Sequence, residues 1–145
     1  MAELTKVRDI MSMELHGISD EASLQAALES MVRHGINSLI VWPMEQDEPY
    51  GIITSSDVVD QIAAGKVLTE TRVGDVDTSP LAVITPGIRI RDAARMMRRL
   101  NLRHLAVFNG KEIVGIVSNF DLVKAAAKDT RSFLQREWRA PIPTV

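Results

Sequence analysis

Two short stretches of the sequence share one pattern. Residues 51–57 read GIITSSD, and residues 115–121 read GIVSNFD. In each stretch a glycine precedes two β-branched residues, and a hydroxyl side chain is followed three residues later by an aspartate. These polar residues are Thr54 and Asp57 in the first stretch and Ser118 and Asp121 in the second. The pattern predicts a strand that runs into a helix, with a hydroxyl and a carboxylate at the junction.

The repetition extends well beyond these two stretches. An offset of 66 residues aligns Val7 with Val73 and Leu39 with Leu105, and after a polar loop the offset becomes 64. Such extended self-similarity indicates duplication of a unit of about 60 residues. Each unit is small, so we expect it to need the other to complete its core. The predicted division is 1–70 for the first repeat, 71–129 for the second and 130–145 for a helical tail.

The periodicity within each repeat predicts strand, helix, strand, strand, helix, which is an α+β fold of mixed sheets and helices. Apolar residues recur at helical spacing over residues 24–32, where Ser23 is a candidate N-cap and Gly35 a candidate stop. Asn109 and Gly110 favour a tight hairpin turn and hence antiparallel pairing. The predicted strands lie around residues 15–18, 39–42 and 50–54, and around 81–84, 105–108 and 113–118. The apolar stripes predicted for the closing helices are Val58, Val59 and Ile62, and Leu122, Val123 and Ala126.

Composition limits the possible functions. The 145 residues are 46% hydrophobic, which suffices for a core, and the net charge of −2 gives no overall attraction to nucleic acid or to anionic membranes. The absence of cysteine excludes disulfides and thiolate chemistry. No apolar run approaches the ~20 residues that span a bilayer, so we expect a cytoplasmic protein.

Motifs of catalysis are missing from the sequence. The three histidines, His16, His34 and His104, lack metal-ligand spacing, and we expect no metal site. Neither of the common glycine-rich phosphate loops occurs, and no serine lies in G-x-S-x-G. The sequence therefore predicts a protein that is not an enzyme.

The ordered repeat resembles a known family. A duplicated strand, helix, strand, strand, helix unit that opens with VRDIMS or VGDVDTS and closes with GIITSSD or GIVSNFD is similar to a tandem pair of cystathionine-β-synthase-type (CBS) domains. The resemblance covers residues 7 to about 128. It implies two units related by a pseudo-twofold axis and two clefts that bind adenosyl ligands such as AMP, ATP, S-adenosylmethionine or diadenosine polyphosphates. It also implies a regulatory role toward a separate partner protein, and a homodimer.

The resemblance implies clefts built from both repeats. An aspartate can accept hydrogen bonds from both ribose hydroxyls, and N–H groups at a helix start suit phosphate. The first cleft combines Thr54 and Asp57 with Thr78, Pro80, Leu81 and Ala82, and with Arg103, His104 and Leu105. The second cleft combines Ser118 and Asp121 with Ser12 and Leu15, and with Asn37, Ser38 and Leu39.

The sequence departs from the family pattern, and the two predicted clefts are unequal. The second repeat has Asp77 where the family often has methionine, and Glu14 lies where its charge would oppose a phosphate in the second cleft. The resemblance matches Arg103 and His104 with Asp57. We therefore expect that a single working site for a phosphorylated ligand would be the one at Asp57.

Alternatives remain for each functional feature. T-x-x-D and S-x-x-D also resemble a capping box, which serves helix stability alone. The module could then be a structural or dimerisation module with empty clefts. One helix face carries four arginines, Arg91, Arg95, Arg98 and Arg99. This face is either a solvated outer surface or a surface that attracts a polyphosphate or the acidic half of another copy. Binding of nucleic acid is the least favoured alternative. The tail residues Phe133, Leu134 and Trp138 either cover their own module or clasp a second copy.

Overall fold

The computed structural model describes residues 6–77 and 79–128. Within them each repeat forms the strand, helix, strand, strand, helix order that the periodicity predicts, after a short 3-10 turn, which confirms the mixed α/β fold. In the first repeat the turn Val7–Asp9 precedes β1 (Gly17–Ser19), α1 (Leu24–His34), β2 (Ser38–Trp42), β3 (Gly51–Thr54) and α2 (Ser55–Ala63). In the second the turn Val73–Asp75 precedes β4 (Val83–Ile84), α3 (Ile90–Leu100), β5 (His104–Phe108), β6 (Ile113–Ser118) and α4 (Asn119–Lys128).

The chain divides into two compact units. One is Leu15–Ala82, which we call the Asp57 unit, and the other combines the described residues 6–14 and 83–128, which we call the Asp121 unit. The opening segment of the first repeat thus groups with the second repeat, because the Val7 N–H donates to the Ile88 carbonyl at 2.9 Å. This spatial grouping differs from the repeat boundaries in the sequence, which remain a prediction about the duplication.

The Asp57 unit holds a sheet in the order β1-β2-β3, in which β1 and β2 are parallel and β2 and β3 antiparallel. Helix α1 begins as predicted, because the Ser23 hydroxyl accepts the Ala26 N–H at 3.1 Å. It ends at Gly35, whose φ of 64° is the left-handed conformation that glycine adopts without strain. The core between α1, α2 and the sheet is formed by Leu24, Ala27, Met31, Leu39, Val41, Ile53, Val58 and Val73.

The Asp121 unit repeats this arrangement with the sheet order β4-β5-β6. The antiparallel pairing of β5 and β6 is confirmed, but residues 109–112 link them, so the turn is longer than the dipeptide predicts. Gly110 has a φ of 100°, while the Asn109 side chain accepts the N–H groups of Lys111 and Glu112, each at 2.9 Å. Asn109 therefore stabilises the turn through its side chain rather than through a left-handed backbone.

The predicted apolar stripes of α2 and α4 are only partly buried. Val58 faces the core, whereas Val59 and Ile62 are 59% and 56% exposed, and Val123 of α4 is 59% exposed. On α3, Ile90, Ala93 and Met97 are buried and Arg95, Arg98 and Arg99 are exposed, as the helical spacing predicts, but Arg91 is half-buried. Among the residues that the structure describes, no helix is long and apolar enough to cross a membrane.

Candidate functional site

The junction of β3 and α2 is closed by reciprocal hydrogen bonds between Thr54 and Asp57. The Thr54 N–H and hydroxyl donate to Asp57 Oδ2 at 2.8 and 3.0 Å, and the Asp57 N–H donates to Thr54 Oγ1 at 3.3 Å. This is the capping box that the T-x-x-D string predicts, with aspartate in the place usually taken by glutamate or glutamine. The threonine and the aspartate thus fix the chain direction where the strand becomes a helix.

The junction of β6 and α4 has the same backbone pattern. The Ser118 N–H donates to Asp121 Oδ2 at 2.8 Å, and the Asp121 N–H donates to Ser118 Oγ at 3.2 Å. Here a cation is added, because Lys124 Nζ lies 3.4 Å from Asp121 Oδ1. The Asp121 side chain is 15% exposed and that of Lys124 56% exposed, so the cation lies at the solvent side of the carboxylate.

Both carboxylates keep acceptor capacity beyond the cap. An ionised carboxylate has about four lone-pair sites on two oxygens. The capping hydrogen bonds of Asp57 and Asp121 fall on Oδ2 in both units. Each junction can therefore accept a further pair of donors, such as vicinal hydroxyls, without breaking the helix cap.

Several of the predicted site residues lie beside β3 of the Asp57 unit. Ser38 pairs with Thr54 across β2 and β3, and the Asn37 carbonyl accepts the N–H of Ser55 at 2.9 Å. Residues 80–82 belong to the same unit, and the Leu81 N–H donates to the Tyr50 carbonyl at 2.7 Å. This segment therefore runs beside the start of β3, at the opposite end of the strand from Thr54 and Asp57.

The Asp121 junction has the corresponding neighbours from its own unit. His104 pairs with Ser118 across β5 and β6, and the Arg103 carbonyl accepts the N–H of Asn119 at 2.9 Å. Ser12 forms a two-way backbone bridge with Ile116 of β6, with both hydrogen bonds at 2.9 Å. Ser12 thus lies beside the strand that leads to this junction.

Two predicted site residues are buried in the sheets. Leu39 and Leu105 are 1% and 0% exposed, so their side chains belong to the cores of their units. Their contribution to a ligand would be limited to the backbone. Leu15, in contrast, is 36% exposed and belongs to the Asp57 unit, and Thr78 lies outside the described residues.

The allocation of side chains between clefts remains a prediction. The structure places Arg103 and His104 in the same unit as Asp121, and Asn37 and Ser38 in the same unit as Asp57. The resemblance to the family implies the opposite allocation, in which each pair serves the junction of the other unit. Within each unit, the residues at the start of the middle strand adjoin that unit's own junction, because neighbouring strands carry them.

The Asp57 junction has acidic neighbours, of which the sequence pattern singles out only Asp77. Burial raises the pKa of the Asp77 carboxyl above its ordinary value, and the carboxylates of Asp20 and Asp57 raise it further, against an opposing backbone hydrogen bond. The role of Lys124 beside Asp121 was also missed. The signal was present in the sequence, because the repeat offsets align Lys124 with Asp60 and Asp77 with Met11.

Within residues 6–77 and 79–128, no group of three or more His, Asp or Glu side chains is placed to hold a metal ion. The rings of His16 and His34 stack with their centroids 4.0 Å apart. His34 Nδ1 lies 2.9 Å from the Ser30 carbonyl oxygen, a distance at which a protonated Nδ1 donates to that oxygen. The two rings therefore face each other rather than converging on one point.

Known proteins share both the sequence pattern and the fold. The CBS domain family model matches residues 7–64 and again residues 73–128. A mitochondrial CBS domain-containing protein, CBSX3 of Arabidopsis thaliana, is 35% identical over 114 residues, which is 76% of this chain and 55% of that protein. The CBS domain-containing protein YhcV of Bacillus subtilis is 26% identical, over 82% of this chain and 84% of its own. The chain spans about half the length of the first curated relatives it matches, 55% and 43%.

A solved structure has the same architecture. The hexameric CBS-CP12 protein from bloom-forming cyanobacteria superposes with a TM-score of 0.79 and 28% identity, over 89% of this chain and 76% of that one. A CBS-domain protein from Burkholderia ambifaria, described as a putative signal-transduction protein, superposes with a TM-score of 0.78 at 24% identity, over 88% and 97% of the two chains, and supports the fold alone. The two matched segments contain both capping junctions. The chain belongs to the CBS domain family, of which it contains a tandem pair.

Proposed function

We propose that this chain is a regulatory module that binds an adenosyl ligand at its two strand-to-helix junctions. Binding alters the affinity of the module for a separate partner protein. The module itself catalyses no reaction. In this proposal the Asp57 and Asp121 carboxylates accept the ribose hydroxyls, and the N-termini of α2 and α4 favour a group with negative charge.

The proposal rests on the carboxylate oxygen of each junction aspartate, Oδ1, that takes no part in the helix cap. A capping box needs one acceptor from its acidic side chain, and in both units Oδ2 supplies it. The remaining acceptor capacity lies on an aspartate, whose short side chain holds both oxygens close to the helix start. A ribose presents two adjacent hydroxyl donors, which match a carboxylate that is held in this way.

A ligand acts as a signal when it binds two states of the module unequally. Such a ligand shifts their populations by its difference in affinity and by nothing else. The junctions suit this role because each ends a strand and begins a helix. A contact at Asp57 or Asp121 therefore acts on the helices α2 and α4, which carry the exposed apolar side chains.

Thermal denaturation with a ligand panel tests the proposal. The panel contains adenosine, AMP, ATP, S-adenosylmethionine and a short RNA, each titrated against the wild type, Asp57→Ala and Asp121→Ala. A ligand that binds only the folded state raises the Tm, and the rise grows with ligand concentration. At a concentration about one hundred times the Kd, the free energy of unfolding increases by about 2.7 kcal/mol. We expect an adenosyl ligand to stabilise the wild type, and one of the two variants to lose that response.

A matched control separates ligand binding from helix capping. Asp9 also accepts a backbone N–H with its carboxylate, from Lys6 at 3.0 Å, but it lies in a 3-10 turn rather than at a strand-to-helix junction. Asp9→Ala should lower the Tm without changing the ligand response. If no adenosyl ligand stabilises the wild type, the capping boxes serve stability alone and the proposal fails. A response to RNA alone, abolished by salt, would instead favour the arginine face of α3.

Self-association is a second part of the proposal. Val59 and Ile62 on α2 and Val123 on α4 expose more than half of their surface, and Phe120, which is also on α4, is 60% exposed. Apolar groups on neighbouring turns favour burial in an interface. The cyanobacterial relative is a hexamer. We expect a homodimer in sedimentation velocity, weakened by Ile62→Glu or Val123→Glu and unchanged by Glu29→Gln on α1.

A further inference from the structure

The two junctions share a backbone but differ in charge at four surrounding positions. The repeat offsets align these positions in pairs, and at each pair the Asp57 unit has the more negative or less positive residue. The pairs are Asp20 with Pro86, Asn37 with Arg103, Asp60 with Lys124 and Asp77 with Met11. Because the pairs are aligned by the repeat offsets, the two junctions can be compared by the charge at each aligned position.

The acidic neighbours of Asp57 are held by backbone contacts within one unit. The 3-10 turn Val73–Asp75 docks on the loop after β1, since the Gly74 N–H donates to the Asp20 carbonyl at 2.8 Å. The Asp77 N–H donates to the Val73 carbonyl at 2.9 Å, which keeps Asp77 close to this turn. Burial raises the pKa of the half-buried Asp77 carboxyl, and the Asp20 and Asp57 carboxylates raise it further.

The corresponding neighbours of Asp121 are apolar or cationic. Met11 takes the place of Asp77, and its sulfur crosses Gly115, where a Cβ would lie 2.6 Å from Sδ. Lys124 takes the place of Asp60 and pairs with Asp121 at 3.4 Å. Arg103 takes the place of Asn37, and its carbonyl accepts the N–H of Asn119, the first residue of α4.

From these differences, and on the basis of the proposed function, we infer that the two junctions select ligands of opposite charge. The Asp121 junction binds an adenosyl ligand that carries phosphate. The Asp57 junction excludes phosphate and binds an adenosyl ligand whose substituent is neutral or cationic.

Coulomb's law supports this division. The N-termini of α2 and α4 both attract phosphate, so the backbone does not make one junction a better phosphate site than the other. A phosphate at the Asp57 junction would meet the additional carboxylates of Asp60 and Asp77, whereas at the Asp121 junction it would meet Lys124. Each change of one unit charge at this range alters the affinity for a phosphate by about 3- to 10-fold at low ionic strength.

This inference reverses an expectation from the sequence. That expectation favoured Asp57 for a phosphorylated ligand because Arg103 and His104 were assigned to it. Within their own unit these two residues adjoin Ser118 and Asn119 through the backbone, and their assignment to the Asp57 cleft stays a prediction. The inference is based on the charge contrast within the units.

Isothermal titration calorimetry at low salt tests the inference. AMP and S-adenosylmethionine are titrated into the wild type, Asp57→Ala and Asp121→Ala. We expect Asp121→Ala to abolish AMP binding, and Asp57→Ala to abolish S-adenosylmethionine binding while leaving AMP unchanged. Lys124→Met should weaken AMP by about 3- to 10-fold, and this loss should shrink at high salt.

A gain of function provides the stricter test. The double substitution Asp60→Lys and Asp77→Met gives the Asp57 junction the residues of its counterpart, and a second AMP should then bind. Asp47→Asn, in the exposed loop at the other end of β2 and β3, serves as the matched control and should change neither ligand. If AMP binding is lost in Asp57→Ala and kept in Asp121→Ala, the inference is overturned but the proposed function is not. Failure of both AMP and S-adenosylmethionine to bind, together with no response to adenosine in thermal denaturation, would overturn the proposed function and the inference together.

Discussion

The Asp57 and Asp121 junctions share a hydrogen-bond pattern but not a charge. In both, a strand N–H donates to an aspartate at 2.8 Å and the aspartate N–H donates to a hydroxyl. Around this common frame one unit has Asp60 and Asp77 and the other Lys124 and Met11. Duplication has thus kept the residues that fix the backbone, while residues beside them have diverged. A repeat can therefore preserve a binding geometry and change what it binds.

The buried residues beneath the two junctions should be equally important. Leu39 and Leu105 occupy equivalent positions and are 1% and 0% exposed. We expect Leu39→Ala and Leu105→Ala each to lower the free energy of unfolding by about 2–5 kcal/mol, since each removes buried methyl groups and leaves a cavity. Urea denaturation followed by circular dichroism measures the loss. Leu100→Ala, at a residue 52% exposed, should cost far less. A large difference between the two core variants would show that the cores are not equivalent.

The caps should differ slightly in strength. Thr54→Ala and Ser118→Ala each remove the side chain that accepts a helix N–H, and each should cost about 1 kcal/mol. Thr54→Ala should cost more, because the Thr54 hydroxyl also donates to Asp57 Oδ2 at 3.0 Å. Thr54→Ser keeps the hydroxyl and should retain most of the stability. Equal stability of Thr54→Ala and the wild type in urea denaturation would argue against a capping role.

Exchanging the charges on the helices sharpens the contrast. Lys124→Met removes the ion pair with Asp121 and should destabilise the protein by about 0.2–1 kcal/mol, at the low end because Lys124 is largely exposed. Asp60→Lys should be stabilising by a similar amount, because it replaces a like charge one turn after Asp57 with an opposite one. Both effects should diminish in 1 M salt, where the Debye length falls to about 3 Å. Effects that are unchanged by salt would indicate a cause other than charge.

The smallest effect should come from the titration of Asp77. A carboxyl whose pKa is raised by folding favours the folded state below its ordinary pKa, and this contribution is lost as the pH rises through the raised value. Asp77→Asn should therefore raise the Tm at neutral pH, by at most about 2 °C, with an advantage that disappears near pH 4. Asp47→Asn should show no such pH dependence. An advantage that persisted at acid pH would contradict the assigned cause.

Much of the fold could be predicted because the sequence repeats local signals. Ser23 and Gly35 mark the ends of α1 at the predicted residues, and both T-x-x-D and S-x-x-D strings form caps. The grouping of residues 6–14 with the second repeat could not be predicted, because it depends on backbone pairing between distant segments. Leu39 and Leu105 were predicted to contribute to the site, but their side chains are buried in the cores. Successive side chains of a strand point to opposite faces of the sheet, so a motif that names neighbouring residues does not show which of them face a ligand.

The candidate site was predictable in its residues but not in its electrostatics. Asp57 and Asp121 follow from the motif, whereas the effect of Asp20 on Asp77 depends on how the loop after β1 meets the turn Val73–Asp75. Lys124 could have been found by comparing the two repeats position by position. Charge differences between aligned repeats are therefore a useful sequence signal for sites of this kind.

The most direct measurement is a crystal structure of the protein with AMP. The account predicts ribose hydroxyls about 3 Å from the Asp121 carboxylate, with the phosphate directed toward Lys124. A ribose at Asp57 would contradict the charge assignment, and a ribose bound to neither carboxylate would contradict the central claim that these junctions are the ligand sites.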